Sequence, residues 1–269
     1  VSIEIFSITL NCLMCCNTYN SISINEKPLQ MARQKGIIKL KGTIGDITFY
    51  QSQDGHLAKE RTSLDGDRIN TDPAFIRTRE NGQEFGEAAK DGKLWRDALR
   101  PNMVTAHDKR VTSRLTQLLV KILKLDSTSV RGARSVGTAI SLPTAMGMLK
   151  GFNFNINSIL GSVLLKPHAL NTGTGVITIN GLVPINDIIP PQGATHVTLK
   201  GAWAKVDFAG KVYDMQQTNS VILLIDGTST NVVLTPGAAP TGPGTNIYVL
   251  QVEFFQLVNT VQYSLKNGA

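Results

Sequence analysis

The stretch THVTLKGAWAKVDF, residues 195–208, predicts a β-strand, because β-branched, apolar and aromatic residues fill it between two turn-forming segments. Segments of similar composition occur on both sides, separated by breakers such as Pro190-Pro191, Asp226-Gly227 and the Pro/Gly-rich run 235–245. The further strand candidates are residues 152–157, 176–179, 211–217, 220–225, 231–234, 246–257 and 261–265. Short strands at this spacing predict an antiparallel β-sandwich over residues 151–269.

The front half of the chain predicts a β-hairpin followed by two helices. Residues 36–61 read as two or three short strands and contain the turn signal Asp54-Gly55. Asp72-Pro73 is typical of a helix start, and the first helix is expected to end near Leu99. The second helix is expected over residues 108–124, where apolar residues recur every three or four positions. The positions expected to be buried are Phe75, Phe85, Ala89, Trp95 and Leu99, then Val111, Leu115, Leu118, Leu119 and Ile122.

These segments predict the α+β class, with an N-terminal β-hairpin and two-helix region followed by a C-terminal antiparallel β-sandwich. The expected divisions are a leader at residues 1–30, a basic hairpin and helical pair at 31–134, a linker at 135–150 and the sandwich at 151–269. The linker is inferred from its content of Ser, Thr, Gly and Pro. The leader has a short apolar core without a positive start, so we expect a non-native segment or a misassigned start before Met31.

The positive charge is concentrated in residues 31–134, which contain 20 Lys and Arg against 13 Asp and Glu. Acidic residues interleave with the basic ones through the first helix, as on an ordinary solvated helix. Clusters of cations without neighbouring acidic residues occur in two short segments, at residues 33–41 and at residues 131–134. The candidate partner-binding residues are therefore Arg33, Lys35, Lys39, Lys41, Arg131 and Arg134.

No arrangement typical of an active site or a metal site occurs in the sequence. The three cysteines all lie within the first sixteen residues, and their C-x-x-C spacing has no second pair or nearby histidine to complete a metal site. The four histidines are scattered, and neither a G-x-S-x-G elbow nor a phosphate-binding glycine loop is present. We expect no enzyme activity, no catalytic residue, no metal ligand and no cofactor.

Three functions from different classes remain. The favoured one is a non-enzymatic structural or assembly protein whose N-terminal hairpin and helices contact another subunit or protein. The second is a nucleic-acid-associated protein that uses the basic N-terminal half. The third is a carbohydrate-binding sandwich, for which Trp203, Tyr213 and Tyr248 are the candidate aromatic residues. No transmembrane segment is predicted, and without a convincing signal peptide a cytoplasmic location is favoured.

The stretch MARQKGIIKLKGTIGDITFY, residues 31–50, resembles the amino-terminal start of a family of uncharacterised bacterial proteins. Further similar segments are DPAF at 72–75, RTREN at 77–81, VTSRL at 111–115 and Val258-Asn259. The resemblance implies that Met31 is the start and that the C-terminus is truncated, because members continue past Asn267-Gly268-Ala269. It implies no activity and no functional residue.

Overall fold

The computed structural model describes residues 2–4, 32–52, 55–61 and 66–265. These residues divide into two compact units, one formed by residues 32–78 and the other by residues 2–4 together with 79–265. The division differs from the predicted one, because the helices after residue 79 belong to the same unit as the C-terminal sheets. Most of the predicted leader lies outside the described residues, as does the end of the chain after residue 265.

The first unit contains a four-stranded antiparallel sheet of β2 (Ala32–Arg33), β3 (Gly42–Ile44), β4 (Ile47–Ser52) and β5 (Gly55–Glu60). The order of the strands across this sheet is β2-β5-β4-β3. The predicted hairpin is confirmed by β4 and β5, while Asp54 of its turn lies outside the described residues. Helix α1 (Gly66–Thr71) and a single 3-10 turn (Pro73–Phe75) follow, with Asp72 capping the turn by accepting from Ala74 N at 2.9 Å.

The predicted first helix is confirmed as α2 (Ile76–Ala98), but its buried stripe differs from the one expected. Trp95 is fully buried, whereas Phe85 is 60% exposed. The buried positions are Glu84, Ala88, Asp91, Gly92, Trp95 and Ala98. Two of them are acidic, so a search for apolar residues alone places the inward face incorrectly.

The second predicted helix is confirmed as α4 (Val111–Leu123), and its apolar stripe points into the core. Val111, Leu115, Leu119 and Ile122 are all buried, as the spacing predicted. A short helix α3 (Arg100–Ala106) occupies part of the expected loop between α2 and α4, starting directly before Pro101. Proline suits such a position because it has no N–H to leave unpaired in the first helical turn.

Residues 135–150 are not a linker. They form α5 (Val136–Ala139) and α6 (Pro143–Leu149), and Ser135 caps α5 by accepting from Thr138 N at 3.1 Å. Val136, Ala139, Ala145 and Leu149 are completely buried in the helical core. Composition suggested a linker because small residues are common there, but small residues also let short helices approach a packed surface closely.

The second unit is built on a six-stranded sheet. Its two central strands are β8 (His196–Asp207) and β12 (Thr245–Val258), paired antiparallel along most of their length. Around them lie β1 (Ser2–Glu4), β9 (Val212–Gln217), β10 (Val221–Leu224) and β13 (Val261–Leu265), of which β1 alone pairs in parallel.

A three-stranded antiparallel sheet packs against this larger sheet. It consists of β6 (Ala169–Leu170), β7 (Ile177–Leu182) and β11 (Thr230–Leu234). Short helices α7 (Leu160–Val163) and α8 (Pro184–Asp187) occur in the connections. The α+β class and the antiparallel C-terminal sheets are therefore confirmed.

The prediction of a strand at residues 152–157 is wrong. There the backbone carbonyls of Asn153 and Phe154 accept from Arg114 and Asp108, at 2.9–3.2 Å, so no strand forms.

The central sheet is covered on both faces, which explains why β8 is buried along nearly its whole length. Ala202 and Ala204 pair with Val249 and Ile247, and this face contacts the helices. The opposite face of the same strands contributes a second core, shared with the three-stranded sheet. The residues of that second core on the central strands are Val197, Leu199, Leu250 and Phe254.

Candidate functional site

The four cations predicted within residues 33–41 are all exposed and lie at the end of β2 and in the connection from β2 to β3. These residues are Arg33, Lys35, Lys39 and Lys41. Lys39 Nζ donates to Gln34 O at 2.5 Å, and the side chain of Gln34 binds both backbone groups of Leu40. Gln34 Oε1 accepts from Leu40 N at 2.8 Å, while Gln34 Nε2 donates to Leu40 O at 3.3 Å. One amide side chain therefore folds residues 34–40 into a compact loop that displays its lysines.

Large apolar side chains are exposed beside these cations. Ile37 is fully exposed, Ile38 is 81% exposed and Ile44 is 63% exposed. We call residues 33–44 the basic–apolar segment. None of the described residues between 32 and 78 is buried, so the small sheet has no core among the described residues of its own unit.

Arg131 and Arg134 lie against helix α2 and form ion pairs with it. Arg131 Nε is 3.3 Å from Glu80 Oε2, and Arg134 Nε is 3.1 Å from Glu84 Oε1. The carboxylate of Glu84 also accepts from Gly132 N at 2.8 Å. A partner would have to compete with these contacts, so binding by this pair stays a prediction. The arginines and the glutamates are far apart along the chain, so no local sequence pattern indicated this pairing.

Asp126, which the sequence prediction missed, shapes the loop that carries both arginines. Asp126 Oδ1 accepts from Thr128 N at 3.0 Å, from Thr128 Oγ1 at 2.8 Å and from Ser129 N at 3.1 Å. The hydrogen bond that its carboxylate accepts from the Ser129 side chain, followed by those from Thr128, holds the pKa of Asp126 well below its usual range. Its Oδ2 accepts from Ser135 N at 3.3 Å, which connects the two ends of the loop.

The aromatic residues proposed for sugar binding do not form an exposed platform. Trp203 and Tyr248 are buried and stack on each other, with ring centroids 5.5 Å apart. Their polar atoms have partners inside the protein: Trp203 Nε1 donates to Asn246 Oδ1, and Tyr248 OH donates to Thr172 O. Only Tyr213 of the three is exposed. The described structure therefore offers no support for the carbohydrate-binding hypothesis.

A metal-binding cluster and a membrane-spanning helix are both absent from the described residues. These residues contain no cluster of three or more His, Cys, Asp or Glu side chains that could hold a metal ion. No helix in the same residues combines the length and the apolar character needed to cross a membrane. The cysteines of the C-x-x-C segment lie outside the described residues.

The second unit is an α+β arrangement in which helices cover one face of the central sheet and the three-stranded sheet β6-β7-β11 covers the other. Comparisons of the chain with protein-family models, with curated proteins and with solved structures found no match. The resemblance to a family of uncharacterised bacterial proteins therefore stays a prediction.

Proposed function

We propose that this chain is a non-enzymatic assembly protein that binds a second copy of itself through the basic–apolar segment. The observation that carries the proposal is the absence of any buried residue among those described between 32 and 78. A small sheet without a packed face is marginally stable in water. A contact that covers this sheet would provide the missing burial.

The exposed isoleucines give the contact its energy. Ile37, Ile38 and Ile44 are among the most exposed large apolar side chains of the described residues. Full burial of one such side chain contributes about 1.5–3 kcal/mol. Ile37 and Ile38 are neighbours in the sequence, and exposed apolar side chains bordered by polar residues are typical of protein–protein contact sites.

The charge of the segment disfavours direct pairing of two copies of the segment. Residues 33–41 contain four cations and no acidic residue, so two copies of this segment placed face to face would repel each other. The segment must therefore bind a different surface of the neighbouring copy. Made twice about a two-fold axis, such a contact gives a closed dimer, and made once per copy it is heterologous and builds rings or filaments.

Substitution of Ile37 by Glu is expected to raise the dissociation constant for self-association at least about 10-fold, because the apolar burial is lost. Light scattering coupled to size exclusion, with the full chain at high micromolar concentration, measures this. Ile185→Glu is the matched control, because Ile185 is 59% exposed in the other unit, and it should leave association unchanged. A wild-type chain that stays monomeric at this concentration would rule the proposal out.

A nucleic-acid role is the second candidate, and one observation favours it. Arg33, Lys35 and Lys41 are exposed and have no ion-pair partner among the described residues. We assume that each of the four cations of the segment contacts one phosphate of duplex DNA. A plot of the logarithm of the binding constant against the logarithm of the salt concentration should then have a slope of about −3.6.

Lys35→Ala should reduce that slope by about 0.9, whereas Lys124→Ala, a change at an exposed lysine of α4's C-terminal end, should not alter it. A filter-binding titration at several salt concentrations measures both. Weak binding without a salt slope would exclude this second role.

A further inference from the structure

The strand pairing assigns each side chain of the small sheet to one of its two faces. Side chains that pair across neighbouring strands share a face, and along one strand they alternate between the faces. The face that includes Phe49 therefore also includes its cross-strand partners and, two residues away on β4, Ile47 with its own partners. We call it the Phe49 face, and its residues on the four strands are Ala32, Gly42, Ile44, Ile47, Phe49, Gln51, His56, Ala58 and Glu60.

Two side-chain contacts agree with this assignment on the opposite face of the small sheet. Thr43 Oγ1 is 3.2 Å from Thr48 Oγ1, and Lys59 Nζ lies 5.8 Å from the centre of the Tyr50 ring. The register also places Arg33 on this opposite face. The opposite face therefore carries two cations, whereas the Phe49 face has no Lys or Arg on the described strands.

The Phe49 face is exposed, apolar and acidic at one end. Ile44 and Ile47 on it are 63% and 47% exposed. Glu60 pairs with Ile47 and is exposed, and Asp46 in the turn between β3 and β4 is exposed as well. The carbonyl oxygen of Asp46 accepts from Arg61 N at 2.6 Å, which holds both acidic residues at the same end of the sheet. Neither carboxylate forms an ion pair with a described residue.

The basic–apolar segment has a composition that complements the Phe49 face. Its loop between β2 and β3 displays Ile37 and Ile38, and it displays Lys39 and Lys41 beside them. Apolar side chains next to cations match a face on which apolar side chains lie next to carboxylates. The opposite face of the small sheet does not match, because its cations would repel the same lysines.

We propose that the Phe49 face is the surface of the neighbouring copy that receives the basic–apolar segment, an inference that rests on the proposed function. The two exposed isoleucines of the loop contact Ile44, Ile47 and Phe49 of the neighbouring copy. The lysines of the loop lie near the two carboxylates at the end of the same face. Each copy carries both surfaces, so a second copy of the chain is sufficient to cover the small sheet.

Charge reversal on the two sides of the contact tests this pairing. The segment variant Lys39→Glu with Lys41→Glu and the face variant Asp46→Lys with Glu60→Lys each place like charges in every contact. Each variant should raise the dissociation constant for self-association at least about 10-fold. An equimolar mixture of the two variants places opposite charges in every mixed contact, so it should associate at least about 10-fold more tightly than either variant alone. Light scattering coupled to size exclusion, with full chains at low salt, measures all three samples.

Substitutions at adjacent residues of β4 test which face is covered. Ile47→Lys on the Phe49 face should raise the dissociation constant at least about 10-fold, because apolar burial is lost. Thr48→Lys is the matched control on the opposite face and should change the dissociation constant less than about 2-fold. Circular dichroism identifies the folded variants, and the mixing experiment remains decisive if Ile47→Lys does not fold.

The outcomes separate this inference from the proposed function. If Ile37→Glu weakens self-association but mixing restores nothing, the Phe49 face is not the acceptor and the proposed function stands. Equal effects of Ile47→Lys and Thr48→Lys in folded variants would also overturn the inference. A wild-type chain that stays monomeric would overturn both.

Discussion

Replacing Lys211 by Met is expected to lower the free energy of unfolding by about 3–5 kcal/mol near pH 8, because it leaves a buried carboxylate without its cation. Lys211 lies in the turn between β8 and β9, and its Nζ is 2.6 Å from Asp91 Oδ1 in α2. Asp91 is completely buried, and its second oxygen has no partner among the described residues. Urea unfolding of the variant and the wild type measures the difference.

The size of this effect should depend on pH. Burial raises the pKa of Asp91 to about 6 even though Lys211, beside it, favours the charged form. The other charged groups facing Asp91 are Glu87 and Lys90, and the hydrogen bond from Lys211 lowers the pKa of Glu87.

Because the pKa of Asp91 in the folded protein exceeds the ordinary value of 3.8, its protonated form stabilises the fold below about pH 4, and this contribution is lost as the pH rises through 6. A shift of this size corresponds to about 3 kcal/mol. Without Lys211 the carboxyl group is protonated over a wider pH range, so the cost of Lys211→Met should be less than half as large at pH 5 as at pH 8.

Two further variants test whether the unpaired charge of Asp91 causes the stability loss of Lys211→Met. Lys90→Met removes a lysine that is 75% exposed and 3.8 Å from Glu87, and it should change stability by less than about 0.5 kcal/mol. The double variant Asp91→Leu with Lys211→Met removes both charges and should recover most of the lost stability. If the double variant is no more stable than Lys211→Met alone, the uncompensated charge is not the cause.

Gly244→Ala is expected to destabilise the fold by about 3 kcal/mol or more, through a backbone clash and a strained dihedral angle together. Gly244 immediately precedes β12 and has a φ of +118°. A Cβ atom there would lie 2.5 Å from the carbonyl group of Val206 in β8. Neither strand can move away easily, because both are central in the sheet.

The same loop provides graded controls for this clash. Gly242 has a φ of +81° but no atom within 4 Å of an added Cβ, so Gly242→Ala should cost only about 1 kcal/mol of strain. Gly237 has neither feature, and Gly237→Ala should stay within about 0.5 kcal/mol of the wild type. Thermal and urea unfolding of the three variants should follow this order, and an equal loss at 242 and 244 would refute the clash.

Elements whose signal is local were predictable from the sequence. Helix α4 has one apolar stripe, and strands β8 and β12 are bounded by strong turn signals, so their positions agree with the prediction. The inward face of α2 was not predictable in this way, because Glu84 and Asp91 are buried on it. Their partners, Arg134 and Lys211, lie far along the chain, and no local pattern indicates such pairs.

The candidate sites also divide into features that local sequence predicted and features that only the folded chain revealed. The exposed cations of the basic–apolar segment follow from an acid-free run of sequence, whereas the ion pairs of Arg131 and Arg134 required the folded chain. The Phe49 face was not foreseen, since its side chains come from four strands and share a face only once these strands pair.

By itself, the sequence determined the α+β class, the strands of the C-terminal sheets and the concentration of positive charge in the first half. These features follow from the periodicity and composition of short stretches of the sequence. The tertiary structure alone decided that residues 135–150 are core helices, which charges are neutralised and where an unpaired buried acceptor remains. The physical reason is that burial and ion pairing depend on contacts between residues distant in sequence, which no local pattern contains.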